Sequence, residues 1–149
     1  MRCVIQRVSQ ACVLSEGTES GRIGKGLCAL IGVEAGDSER DAAYMAEKIR
    51  KLRIFEDENG KMNLSVEQAG GSVLCVSQFT LLGDARGQNR PGFTQAEKPE
   101  RANELYEQTV SALKSAGIPV QTGVFRTHME VSLVNDGPVT ILLDSRKTF

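Results

Sequence analysis

Hydrophobic and polar positions along the chain divide it into short apolar stretches and two longer helical stripes. Arg2 to Leu14 is rich in Val, Ile and Cys with polar residues interleaved. That pattern predicts a long half-buried strand, with a bulge near Ser9-Gln10. Glu16-Gly17 turns the chain into a short strand, Glu19 to Ile23, and Gly24-Lys25-Gly26 turns it again. Leu27 to Val33 is continuously apolar and short, which suits a central strand buried on both faces. Ser38 then opens a helix as N-cap, with Asp41 three residues on in the manner of a capping box. Ala42, Met45, Ala46, Ile49 and Leu52 form its apolar stripe. Ile54-Phe55 and Met62-Asn63-Leu64 flank the hairpin turn Asp57-Glu58-Asn59-Gly60.

Ser72 to Val76 reads as a buried strand whose end carries Ser77, Gln78 and Thr80. Polar groups at the end of a buried strand are a common place for binding, although such hydroxyls also bond their own backbone. The loop Asp84 to Phe93 holds two arginines and an aromatic, which fits either a rim that meets phosphate or a solvated loop. Pro99 starts a second helix in the position proline prefers. Ala102, Leu105, Tyr106, Thr109, Val110, Leu113 and Ala116 face the core, and Gly117 and Pro119 end the helix. Strands follow at Val120–Thr122 and Met129–Val134. Asn135-Asp136-Gly137-Pro138 separates Val131–Val134 from Val139–Leu143, and local turn chemistry there predicts a trans hairpin turn. Strands, helix, strands, helix, strands is the order of an α+β domain with an antiparallel or mixed sheet or partial barrel, here one domain over residues 1–149.

Composition sharpens this picture in three places. With 40% hydrophobic and 25% charged residues the chain has the balance of a soluble globular protein. No apolar run approaches the roughly 18 residues of a membrane span, and the N-terminus becomes charged too early for a signal peptide. A cytoplasmic protein with no membrane partner is expected. A net charge of −1 is unlike that of proteins gripping a duplex by its phosphates, so DNA is not an expected partner and any RNA contact is local, at an end or a loop. Cys3, Cys12, Cys28 and Cys75 have no CxxC spacing and read as buried reduced thiols.

Candidate chemistry is sparse. His128 is the only histidine, so no His-rich metal site exists, no metal or cofactor is expected, and its neighbours give no triad signature. Gly21 to Gly26 lacks phosphate-loop spacing. Catalysis, if present, must rest on positioning, backbone donors and water.

Several short motifs together resemble the D-aminoacyl-tRNA deacylase family. They are Ile5-Gln6-Arg7-Val8, Arg53-Ile54-Phe55, Lys61-Met62-Asn63-Leu64, Gly70-Gly71-Ser72-Val73-Leu74, Ser77-Gln78-Phe79-Thr80-Leu81, Gln121-Thr122-Gly123 and Asn135-Asp136-Gly137-Pro138-Val139-Thr140. The resemblance implies a homodimer that hydrolyses the ester joining a D-amino acid, or glycine, to the 3′-terminal adenosine of tRNA. It places the site at the dimer interface, with Ser77–Leu81 as its floor and Met129 lining the pocket. It makes the Gly137-Pro138 bond cis, reaching into the partner's site, with Arg7 in support. The developing oxyanion then needs a donor such as the backbone N–H of Phe79 or Thr80, while Gln78 orients. Thr80 either positions or attacks, and without a nearby base positioning is the better reading. Arg126-Thr127-His128 stands where the family usually has smaller residues, and Gly92 where a serine commonly precedes Phe93; both bear on how the adenosine is held. Two other functions fit the same residues: a non-catalytic RNA-end or small-molecule binding module, and a threonine-nucleophile esterase.

Overall fold

One long strand organises the molecule. In the computed structural model, which describes residues Met1–Phe149, β1 (Arg2–Ser15) pairs along its whole length on one edge and in two halves on the other. Its first half, Arg2 to Val8, is antiparallel to β3 (Gly26–Gly32), and its second half, Ala11 to Ser15, to β2 (Thr18–Ile23). After α1 (Glu39–Lys51) and a small hairpin, β4 (Phe55–Glu56) and β5 (Met62–Leu64), the chain returns as β6 (Ser72–Ser77), parallel to β3. A 3-10 turn at Phe79–Leu82 and α2 (Pro99–Ser115) lead to β7 (Val120–Thr122), parallel to β6, and then to β8 (Met129–Asp144) on the other edge of β1. The sheet is therefore mixed, in the order β2-β1-β3-β6-β7 with β8 branching from β1. It curls until its ends almost meet: the Ser20 hydroxyl on β2 donates to the Thr122 carbonyl ending β7 at 3.2 Å.

The hydrophobic pattern explains both layers of the core. Alternation along β1 puts Cys3 and Ile5 against the helices, while Val8, Ala11 and Val13 face the inside of the curled sheet. The main cluster joins Cys3 and Ile5 to Met45 and Ile49 of α1 and to Leu105, Tyr106 and Leu113 of α2. Full burial of each such large side chain contributes about 1.5–3 kcal/mol. The smaller cluster, with Ile23, Cys28, Leu74 and Val76, fills the barrel. At the start of α1 the expected capping box is present, with the Asp41 carboxylate accepting from the Ser38 backbone N–H at 2.9 Å. Cys3, Cys28 and Cys75 are buried and free, as expected; Cys12 is also free but only half-buried. No helix is long and apolar enough to cross a membrane.

One local expectation is corrected. Asn135-Asp136-Gly137-Pro138 is not a hairpin turn. The apolar runs on either side are collinear halves of β8, and both pair with β1: Met129–Val134 with Gln10–Ser15, and Thr140–Asp144 with Arg2–Gln6. Where Gln6 and Val8 are two residues apart, their partners Thr140 and Asn135 are five apart, so the turn residues are extruded as a wide bulge. The Gly137-Pro138 bond in it is cis. The physical reason is the length of β1, which offers a continuous template to both runs. The expected bulge at Ser9 is present, between Val8 and Gln10.

Candidate active site

Three parallel strands, β3, β6 and β7, end at the same side of the sheet, where ligands of open parallel sheets commonly bind. A cavity of about 970 Å³ opens there, between the barrel core and the N-terminal end of α2. Its floor is Ser77, Gln78, Phe79 and Thr80. Buried β6 ends at Ser77; Gln78 is still extended at φ −144, and its N–H reaches the Ile31 carbonyl at 2.8 Å. The chain then tightens into the 3-10 turn, whose first N–H groups, those of Phe79 and Thr80, have no partner inside the turn. Gly32 permits this approach. A Cβ at residue 32 would lie 2.8 Å from Leu82 Cδ2 and 2.9 Å from the Gln78 carbonyl oxygen.

Gln78 Nε2 donates to Thr80 Oγ1 at 3.1 Å. A carboxamide is no base, so this contact orients the hydroxyl without activating it. Phe79 is 56% exposed and meets Phe93 edge to face, with ring centroids 5.2 Å apart. The floor thus ends in an aromatic pair open to solvent.

The far wall comes from the segment after β7: Phe125, Arg126, Thr127, His128 and Met129. Met129 closes this wall at the start of β8. Thr127 Oγ1 donates to the Val124 carbonyl at 2.9 Å and lies 2.6 Å from Ser15 Oγ, which fastens this wall to the end of β1. His128, which its sequence neighbours leave without a role, faces the cavity, and none of the chain's ion pairs includes it. Glu97 and Lys98 complete the rim beside α2. Backbone N–H groups of Lys98 (2.8 Å) and Gly36 (3.1 Å) donate to the Glu97 carboxylate and hold it below the usual carboxylate range. The sequence pointed to Arg126-Thr127-His128 only through the family resemblance, and it missed Glu97 and Lys98 as cavity residues because no motif marks them; only the curled sheet brings all of these to Ser77. In the loop, Arg86 is paired with Asp84 at 2.6 Å and holds that carboxyl well below its ordinary value. That arginine is a loop staple. No group of three or more His, Cys, Asp or Glu side chains is arranged to hold a metal.

Gly137 and Pro138 do not line this cavity. They stand exposed on the β8 bulge. Arg7, 7% exposed, holds the bulge: its Nε donates to the Asp136 carbonyl and its Nη1 to the Ile54 carbonyl, both at 2.8 Å. Asn135 locks the bulge from within, accepting the Val139 N–H at 2.7 Å through Oδ1. Gly137 has φ +146, and a Cβ there would lie 2.7 Å from Val139 Cγ2, so both backbone and space call for glycine. One chain therefore brings Ser77, Gln78, Phe79, Thr80 and Met129 together, and presents Gly137-Pro138 elsewhere on an Arg7-supported knuckle.

This fold and strand-end motif find a match in sequence comparison. A family model described as D-Tyr-tRNA(Tyr) deacylase matches residues 4–144, and the chain belongs to this deacylase family. The D-aminoacyl-tRNA deacylase of Koribacter versatilis (strain Ellin345) is 60% identical over 149 residues, covering 100% of both chains. That of Anaeromyxobacter dehalogenans (strain 2CP-C) is 58% identical, again over 100% of both. Among solved structures, the c-Myc DNA Unwinding Element Binding Protein superposes with a TM-score of 0.91 at 39% identity, over 97% of this chain and 98% of that one. A probable eukaryotic D-amino acid tRNA deacylase has a TM-score of 0.78 at 17% identity, covering 95% and 97%, a likeness that bears on the fold alone.

Proposed function

We propose that this protein hydrolyses the ester of D-aminoacyl-tRNA, and of mischarged glycyl-tRNA, releasing free tRNA and the amino acid in the cytoplasm. Full-length kinship to D-aminoacyl-tRNA deacylases carries this reading. The cavity supports it, because an aminoacyl ester is already activated and needs little acid-base equipment. The terminal ribose enters over Ser77–Thr80. Its 2′-hydroxyl assists a water in attacking the ester carbonyl, and the N–H of Phe79 or Thr80 receives the developing oxyanion. Gln78 holds Thr80, which positions the substrate and does not attack it. Met129 bounds the pocket on the opposite wall.

The working unit is a homodimer. β8 pairs only with β1, and it carries Val134 and Leu142, exposed at 47% and 59%. An apolar strand edge of this kind suits an isologous contact. Gly137-Pro138 of one protomer then closes the cavity of the other, and its backbone fills the space an L side chain would need. A D side chain points to solvent and glycine has none, so discrimination works by rejecting L substrates. A net charge of −1 speaks against a grip along duplex DNA.

The test is release of amino acid from matched D-Tyr-, L-Tyr- and Gly-tRNA. D-Tyr and Gly esters should be cleaved and the L-Tyr ester spared. Equal rates on D- and L-Tyr-tRNA would remove the rejection mechanism, and no release from any of the three would leave a binding module in place of an enzyme.

A further inference from the structure

Arg126 is built at a cost and spent on nothing within the chain. Its φ is +70, in the left-handed region that a long non-glycine side chain rarely adopts. Strain of this kind gathers at functional sites, where the surrounding structure holds it in place. Here the holding contacts are visible: the Thr127 hydroxyl bonds the Val124 carbonyl and meets Ser15 Oγ at 2.6 Å, one residue beyond Arg126. The Arg126 side chain lines the cavity. None of the chain's ion pairs uses it, nor Lys98 or His128 beside it on the cavity wall. The one carboxylate in the same lining, Glu97, already accepts two backbone N–H groups. Arg126, exposed and with no hydrogen-bond or ion-pair partner for its guanidinium within the chain, is left on the lining of a cavity of about 970 Å³.

We infer that Arg126 binds the 5′-phosphodiester of the terminal nucleotide, anchoring the RNA end while the ester lies over Thr80. This rests on the RNA-ester reading given above. Any nucleic-acid end carries a phosphate one ribose away from its 3′-ester, and guanidinium forks match phosphate oxygens in pairs. Lys98 adds a second positive charge at the rim.

The experiment compares three substrates: D-Tyr-tRNA, 3′-O-D-tyrosyl-adenosine 5′-monophosphate, and 3′-O-D-tyrosyl-adenosine, which has no phosphate. Arg126→Gly relieves the backbone, so its melting temperature should be equal to or above that of the wild type. Its KM should rise about tenfold on the two phosphate-bearing substrates, the scale of losing one charge-assisted hydrogen bond, with kcat nearly constant. On the phosphate-free ester its KM should stay close to the wild-type value, which is itself high. Arg126→Lys, keeping the charge without the fork, should recover part of the loss. An equal rise of KM on all three substrates, or no rise on any, would overturn the assignment. So would a fall in kcat without a change in KM. If wild type cleaves none of the three, the deacylase reading itself fails; if it cleaves them and Arg126→Gly behaves as wild type, only the phosphate contact fails.

Discussion

Arg7→Ala tests whether the bulge is held from outside or only by its own turn chemistry. The wild-type guanidinium makes two hydrogen bonds of 2.8 Å, one to Ile54 in buried surroundings and one to Asp136 nearer solvent. A hydrogen bond with a charged partner contributes about 1.5–3 kcal/mol. After truncation the Asp136 carbonyl can recover a water, whereas the Ile54 carbonyl loses its partner in the interior. The two losses together, reduced by the recovered water, come to about 2–4 kcal/mol. For a chain of this size that corresponds to a fall in Tm of about 5–15 °C. Arg7→Lys, which reaches one carbonyl and keeps the charge, should lose about half as much. Urea denaturation of wild type and both variants measures the effect, and the ratio of D-Tyr- to L-Tyr-tRNA cleavage tests whether displacing the knuckle changes the proposed discrimination against L substrates. A change below about 0.5 kcal/mol for Arg7→Ala, the scale of an indifferent surface substitution, would mean that Asn135 alone holds the bulge and that Arg7 has no supporting role.

Four further outcomes are expected. Gly32→Ala forces a methyl against the Gln78 carbonyl and Leu82, so it should destabilise by about 1–3 kcal/mol and lower activity; an unchanged denaturation midpoint would refute the close-approach argument. Thr80→Ala should retain substantial activity, and trapping a covalent aminoacyl-Thr80 adduct by mass spectrometry would show that the hydroxyl attacks after all. Burial pushes the Cys3 thiol well above its ordinary value, Cys28 to about 11 and Cys75 to about 12; at pH 8 an alkylating reagent should modify Cys12 first, and rapid labelling of all four in native protein would contradict the packing. Sedimentation at micromolar concentration should give a dimer, and a fully active monomer would remove Gly137-Pro138 from the partner's site.

Much of this molecule was legible in its residues, for reasons of local physics. The stripe Ala42, Met45, Ala46, Ile49 and the Pro99 start define helices whichever way they are packed, because period and capping act within a few residues. Leu27–Val33 declares a strand buried on both faces by having no polar side, and Ser77–Thr80 stands out as polarity placed where such a strand stops. The family resemblance then joined motifs that are far apart along the chain. Other features were settled only by tertiary structure. Asn135–Pro138 has the chemistry of a hairpin turn, yet β1 is long enough to template both flanking runs, and the same residues become a bulge. Glu97 and Lys98 carry no local signal that they share a cavity with the Arg126-Thr127-His128 segment, because that meeting depends on how far the sheet curls and where α2 lands. Arg7 gives the same lesson at one position. Alternation makes it an ordinary inward residue of a strand, but two carbonyls from segments 47 and 129 residues away turn a buried charge into a support. Periodicity reports what a residue needs from its surroundings; which groups supply it is decided by the fold.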